Sequence, residues 1–195
     1  PSMAVVANRV NRAMNEAAGE GTPAAVERAT REGIDRAVRV DDEAATNAAA
    51  TLPDRVATLS RSGTVGAAIE AAAPAAILVA ESRPGGEGIG VAESLAASRP
   101  DTDVTLTSDA ALAHELDAWN AGAVLVGADR IRPDGSVVNK VGTRAAALAA
   151  PADCAVFVVA STDKVATDDA VDLEPRDPAE LYDGDAPLSV ANPTF

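Results

Sequence analysis

Several short apolar runs in this chain give way to clusters of small, polar and charged residues. The clusters are Ser60-Arg61-Ser62-Gly63-Thr64, Glu81-Ser82-Arg83-Pro84-Gly85-Gly86-Glu87-Gly88, Gly127-Ala128-Asp129-Arg130 and Ser161-Thr162-Asp163-Lys164. The third runs on to Asn139-Lys140-Val141-Gly142-Thr143, just ahead of a segment able to form a helix. Cationic side chains beside free backbone amides at a helix start favour an anionic oxygen ligand such as a phosphate. Asp129, an acid placed directly after an apolar run, adds a group able to bind a hydroxyl or move a proton. Other residues invite chemistry less. The glycines of Gly85–Gly90 lack the dinucleotide spacing, which excludes a nicotinamide site. His114 and Cys154 have no partners at metal-ligating spacing, so both read as structural and neither a metal nor a cofactor is expected.

The elements that must position these clusters follow from the apolar rhythm. From Arg55 onward, runs of four to six residues (Val56–Leu59, Ala76–Ala80, Val104–Thr107, Ala123–Val126 and Ala155–Ala160) alternate with segments able to form helices. Those segments are about Thr64–Ala72, Gly88–Ala97, Ala110–Ala118 and Gly142–Ala150. The runs are nearly continuous in apolar residues, as strands buried on both faces are. Strand and helix in alternation predict a parallel, doubly wound α/β sheet, with its ligand beyond the carboxyl ends of the strands. Ahead of it, Ser2–Ala18 spaces Met3, Val6, Val10 and Met14 along one helical face. Thr22-Pro23 then starts a second helix reaching about Ala48, with Val26, Ile34 and Val38 as its apolar marks. This divides the chain into a helical region, residues 1–52, and an α/β domain, residues 53–195. The acidic tail from Val171 to Phe195 is expected to form edge pieces.

Composition narrows the function. The 195 residues carry 16 basic and 30 acidic side chains, a formal net charge of −14 that would repel a nucleic-acid backbone. Aromatic residues are 2% of the chain, too few for base-stacking platforms. No apolar run approaches the length of a membrane span, and a single cysteine rules out an internal disulfide, so a reducing cytoplasm is the expected setting. An acidic chain whose bases are nearly all arginine reads as halophilic. Only Lys140 and Lys164 are lysines, and where lysine has been purged the two that survive are suspects.

Four segments carry a resemblance: "ESRPGGEG" from Glu81, "VLVGADRIRPDGSVVNKVGT" from Val124, "VFVVASTDK" from Val156 and "VANPTF" from Val190. Together they resemble the translation initiation factor 2B alpha/beta/delta family, which also contains ribose-1,5-bisphosphate isomerase and methylthioribose-1-phosphate isomerase. The resemblance implies a Rossmann-like domain preceded by the end of a helical one, with the family's first helices and a segment after "NP.F" lying outside this chain. It implies that Asp129 corresponds to the isomerases' catalytic aspartate. Asn139, Lys140 and Lys164 then fall at phosphate-gripping positions, and Arg83 on the family's Glu-Thr-Arg-Pro loop. Arg61 and Ser62 would complete the pocket. Ser60 stands where the isomerases have a cysteine, and Glu87 where the methylthioribose enzyme has a glutamine.

A serine hydroxyl without an activating base cannot serve as an acid–base group near neutrality, whereas a thiol can. The sequence therefore favours a factor-like protein that keeps a sugar-phosphate or nucleotide pocket without catalysis. The alternative is an aldose–ketose isomerase of ribose 1,5-bisphosphate or a related sugar 1-phosphate. The resemblance also implies a homodimer or larger homo-oligomer and a translation factor as a further partner.

Overall fold

The computed structural model describes residues 4–171 and 175–195. In chain order it contains α1 (Ala4–Ala18), α2 (Pro23–Ala49), β1 (Arg55–Leu59), α3 (Gly63–Ala72), β2 (Ala76–Ala80), α4 (Glu87–Ser98) and β3 (Asp103–Thr107). There follow α5 (Leu112–Ala118), β4 (Ala123–Val126), β5 (Arg130–Ile131), β6 (Val137–Val138), α6 (Thr143–Ala149) and β7 (Ala155–Val158). Five strands form one parallel sheet in the order β3-β2-β1-β4-β7, so the expected Rossmann-like architecture is present.

The alternation of side chains along each strand sorts the helices into two layers. Val56, Ile77, Val79 and Leu125 pack with Val65 and Ile69 of α3, Leu95 of α4 and Ala45 of α2. Ala57, Leu59, Leu78, Val124 and Val126 pack on the other side with Leu112 and Leu116 of α5 and Ala146 of α6. Strands β1, β2 and β4 are buried throughout except at Arg55. The edge strands are not. Val156 and Val158 of β7 are 40% and 44% exposed, and β3 is half-exposed, so the expectation of burial on both faces fails at the two margins where no neighbour covers them.

The helical pair corrects another expectation. Its buried residues are mostly alanines, namely Ala17, Ala25 and Ala29, which let α1 and α2 approach closely. Val6, Val10, Met14, Ile34 and Val38, large residues read as the apolar faces, stay more than half exposed, and Val26 is exposed too; Met3 lies outside the described residues. The tail forms no strand among its described residues. It is tied down by one bridge between Pro175 and Pro193, with Arg176 N–H donating to the Asn192 carbonyl at 2.9 Å.

Candidate functional site

Strands β1, β2 and β3 step outward in one direction and β4 and β7 in the other, so the topology reverses between β1 and β4. At such a switch point the loops diverge and leave a crevice at the strands' carboxyl ends. A cleft of about 600 Å³ opens there, floored by Leu59–Thr64 after β1 and Gly127–Asp129 after β4.

Each wall has a local cause. After β1, Ser60 takes a left-handed backbone (φ 62°), and its N–H donates to Ser82 Oγ at 2.6 Å. The Ser82 hydroxyl in turn donates to the Ala80 carbonyl at 3.0 Å, so the β1 and β2 loops are locked together. Asp109 fixes the second loop, accepting from the Ser82 and Arg83 N–H groups at 2.8 and 2.5 Å. Ser62 caps α3, whose amino end therefore faces the cleft and favours negative charge there. Gly88 permits the next element: a Cβ at this position would lie 1.8 Å from the Ala80 carbonyl oxygen. Only glycine lets α4 seat that close to β2, and this seating carries Glu87 into the cleft.

After β4 the chain makes a feature the sequence reading missed. Strands β5 and β6 form a small antiparallel hairpin around Pro133–Ser136, and Asp129 N–H donates to the Val138 carbonyl at 2.9 Å. The hairpin folds Asn139 and Lys140 back beside Asp129. Asn139 Nδ2 donates to Thr143 Oγ1 at 2.8 Å, and that hydroxyl donates to the Lys140 carbonyl at 2.7 Å. Arg130 turns away from Asp129, is buried, and pairs with Asp168.

Eight sequence-predicted residues line this one cleft: Ser60, Arg61, Ser62, Glu87, Asp129, Asn139, Lys140 and Lys164. Arg83 does not. Its side chain is 62% exposed and its Nε lies 3.1 Å from Glu81, because the Asp109-anchored loop turns it outward. Cys154 is buried in the core at the start of β7 and His114 is exposed on α5, both away from the cleft. Among the described residues no cluster of histidine, cysteine or carboxylate side chains could hold a metal ion, and no helix is long and apolar enough to cross a membrane.

The charges are unequal. Burial pushes the Asp129 carboxyl above its ordinary value, and nearby Lys164 only partly offsets this. Burial also works against ionised Glu87, but Lys140 Nζ at 2.8 Å and more distant Arg176 outweigh it, holding the carboxyl below its usual range. Lys164 has no carboxylate within ion-pair distance among the described residues.

Four charged contributors escaped the sequence reading. Arg9 reaches the cleft from α1, Asp41 and Asp42 from α2, and Arg176 from the tail. For Arg176 a signal existed, since it is the only base between Val165 and Phe195. Nothing in the sequence brings Arg9 there.

Comparison with known proteins agrees with this frame. Over 135 residues the chain is 37% identical to ribose 1,5-bisphosphate isomerase of Haloferax volcanii, covering 67% of this chain and 41% of that protein. It is 38% identical over 127 residues to methylthioribose-1-phosphate isomerase of Synechocystis, covering 62% of this chain and 35% of that one. The chain thus spans about two fifths of the length of these curated relatives. The crystal structure of translation initiation factor eIF-2B from Pyrococcus horikoshii superposes with a TM-score of 0.79 at 26% identity, covering 98% of this chain and 69% of that one. Residues 1–195 match the Initiation factor 2 subunit family from end to end, and the chain belongs to that family.

Proposed function

We propose that this chain carries the sugar-phosphate centre of an aldose–ketose isomerase, acting on a ribose 1-phosphate of the ribose 1,5-bisphosphate class. The observation that carries the reading is Asp129, a half-buried carboxyl that holds its proton more tightly than usual, in a cleft with Lys140, Lys164 and the amino end of α3. The similarity to two proteins named as sugar 1-phosphate isomerases supports the same choice.

Isomerisation opens the ring at its oxygen, moves the C2 hydrogen to C1, and leaves a ketone at C2 with no net change of atoms. Protonated Asp129 supplies the proton the ring oxygen needs. The resulting carboxylate then accepts the proton of the C2 hydroxyl. If the C2 hydrogen moves to C1 as hydride, those two transfers suffice and Ser60 need carry no proton. A route through loss of C2–H as a proton needs a second base, which the Ser60 hydroxyl does not provide. Glu87, its proton affinity lowered by Lys140, is a poor substitute.

The test is ketose formation from ribose 1,5-bisphosphate by the natural protein at full length in high salt. Asp129→Asn is expected to lower turnover by roughly 10²–10⁴-fold. Substrate deuterated at C2 should retain its label at C1. Turnover that survives Asp129→Asn would sink the assignment.

Ser60 favours one second reading, a non-catalytic factor subunit that binds a phosphosugar or nucleotide as a regulatory ligand. Thermal stabilisation by these ligands, with no turnover and none awakened by Ser60→Cys, would select it.

A further inference from the structure

The turn that presents Lys164 is gripped from outside the sheet. Lys164 ends a single 3-10 turn, Thr162–Lys164, shortly after β7. The residues on either side of it offer their backbone carbonyls to one side chain: Asn8 Nδ2, on α1, donates to Asp163 and to Val165, each at 2.8 Å. The Asp163 side chain is 2% exposed and both of its oxygens are taken. Arg9 Nε donates to Oδ2 at 2.9 Å and Arg12 Nη1 to Oδ1 at 3.0 Å. Arg9 extends the link to Asp41 of α2 at 3.1 Å. Two guanidinium groups on one buried carboxylate fix its geometry through charge-assisted hydrogen bonds.

A tether would need only some of this. Here the bonds bracket Lys164 on both sides, while its own ammonium pairs with no carboxylate among the described residues and lines the cleft with Asp129. Lys140, by contrast, is already matched with Glu87. A cation whose backbone is held at both neighbours and whose charge is left open is pre-organised for an incoming anion, so less ordering cost falls on binding.

We propose that Asn8, Arg9 and Arg12 are positioning residues for Lys164, which makes α1 part of the anion site. Helix α1 thereby acts on the ligand through the placement of Lys164, in addition to Arg9, which itself lines the cleft. The ligand part of this assignment rests on the sugar-phosphate reading; its geometric part does not.

Asn8→Ala is the informative variant, because it frees both carbonyls while leaving the Asp163 ion pairs in place. With ribose 1,5-bisphosphate as the calorimetric probe, it should weaken binding about tenfold, and Lys164→Met should weaken it at least as much. The second arm is a carbon-13 NMR titration of the Asp129 carboxyl without ligand. Lys164→Met should raise its midpoint by removing a positive charge, and Asn8→Ala should raise it in the same direction by less. The double variant should match Lys164→Met alone. A merely structural role for Asn8 would lower the melting temperature and leave the Asp129 midpoint unmoved, which would overturn the proposal, as would an unmoved midpoint in Lys164→Met. Failure of the wild-type protein to bind the probe would overturn the sugar-phosphate reading instead, and the titration arm would still decide the positioning role.

Discussion

Lys140 Nζ and Glu87 Oε1 lie 2.8 Å apart, joining two residues 53 positions distant in sequence. The Lys140 side chain is 8% exposed, so this ion pair sits largely out of water at the wall of the cleft. A phosphate reaching Lys140 must share it with, or take it from, a carboxylate already bound. In the proposed sugar-phosphate site Glu87 would therefore compete with the ligand for Lys140.

Glu87→Gln removes that competition while keeping the side chain's shape. Charge-assisted hydrogen bonds are worth roughly 1.5–3 kcal/mol, and part of one is returned to the ligand when the competitor loses its charge. Affinity for ribose 1,5-bisphosphate should rise roughly tenfold, about 1.4 kcal/mol, in a calorimetric titration. Weaker binding would mean that Glu87 itself holds the ligand.

Acid should loosen the same structure through two carboxylates. Asp163 and Glu87 are both desolvated, yet their cationic partners hold both below their ordinary values. For an acid lowered in the folded state, the stabilisation is complete above the unfolded value of about 4 and is lost as the pH falls through the folded one. Denaturant midpoints measured from pH 6 to pH 3 should fall in the wild type. The fall should be shallower in Glu87→Gln and in Asp163→Asn, each of which starts from a lower plateau at neutral pH. Parallel curves for all three proteins would contradict the assignment.

Two glycines on one helix should respond in opposite directions. Gly88→Ala puts a methyl group 1.8 Å from the Ala80 carbonyl oxygen, so α4 must shift from β2. The cost should reach at least the upper end of overpacking, about 3 kcal/mol. At Gly90, inside the same helix, no atom lies within 4 Å of an added Cβ. Gly90→Ala should stabilise by about 0.5–1 kcal/mol through reduced backbone freedom in the unfolded chain. Urea denaturation of the two variants decides both signs.

The net charge of −14 sets an expectation for salt. The Debye length falls from about 30 Å at 0.01 M to about 3 Å at 1 M, so self-repulsion is screened early in that range. The melting temperature should rise steeply from dilute buffer and keep rising to molar KCl if the acidic surface is adapted to salt. A plateau at modest salt would reduce the effect to simple screening.

The sequence by itself determined the sheet and, for two of its strands, both ends, while β7 stops at Val158, two residues short of the expected run. Ala76–Ala80 and Ala123–Val126 are strands over the ranges their apolar runs mark, because a buried parallel strand has little beyond continuous apolar side chains to satisfy it. It also marked Asp129, Ser60 and Lys164, because those residues follow strands in chain order and a doubly wound sheet gathers such loops at one edge, and it marked Lys140 by the scarcity of lysine. Tertiary structure alone decided the rest. The hairpin of β5 and β6 is two residues per strand, too short to leave a periodic signal, yet it turns Asn139 and Lys140 back to Asp129. Arg83 and Glu87 lie four residues apart in one polar cluster, and only the seating of Gly88 on β2 and the Asp109 anchor send one inward and the other out. The Asp163 clamp spans more than 150 residues. No local pattern encodes it, because a buried carboxylate is matched by whichever guanidinium the packing of α1 brings within reach, and that reach is a property of the folded chain.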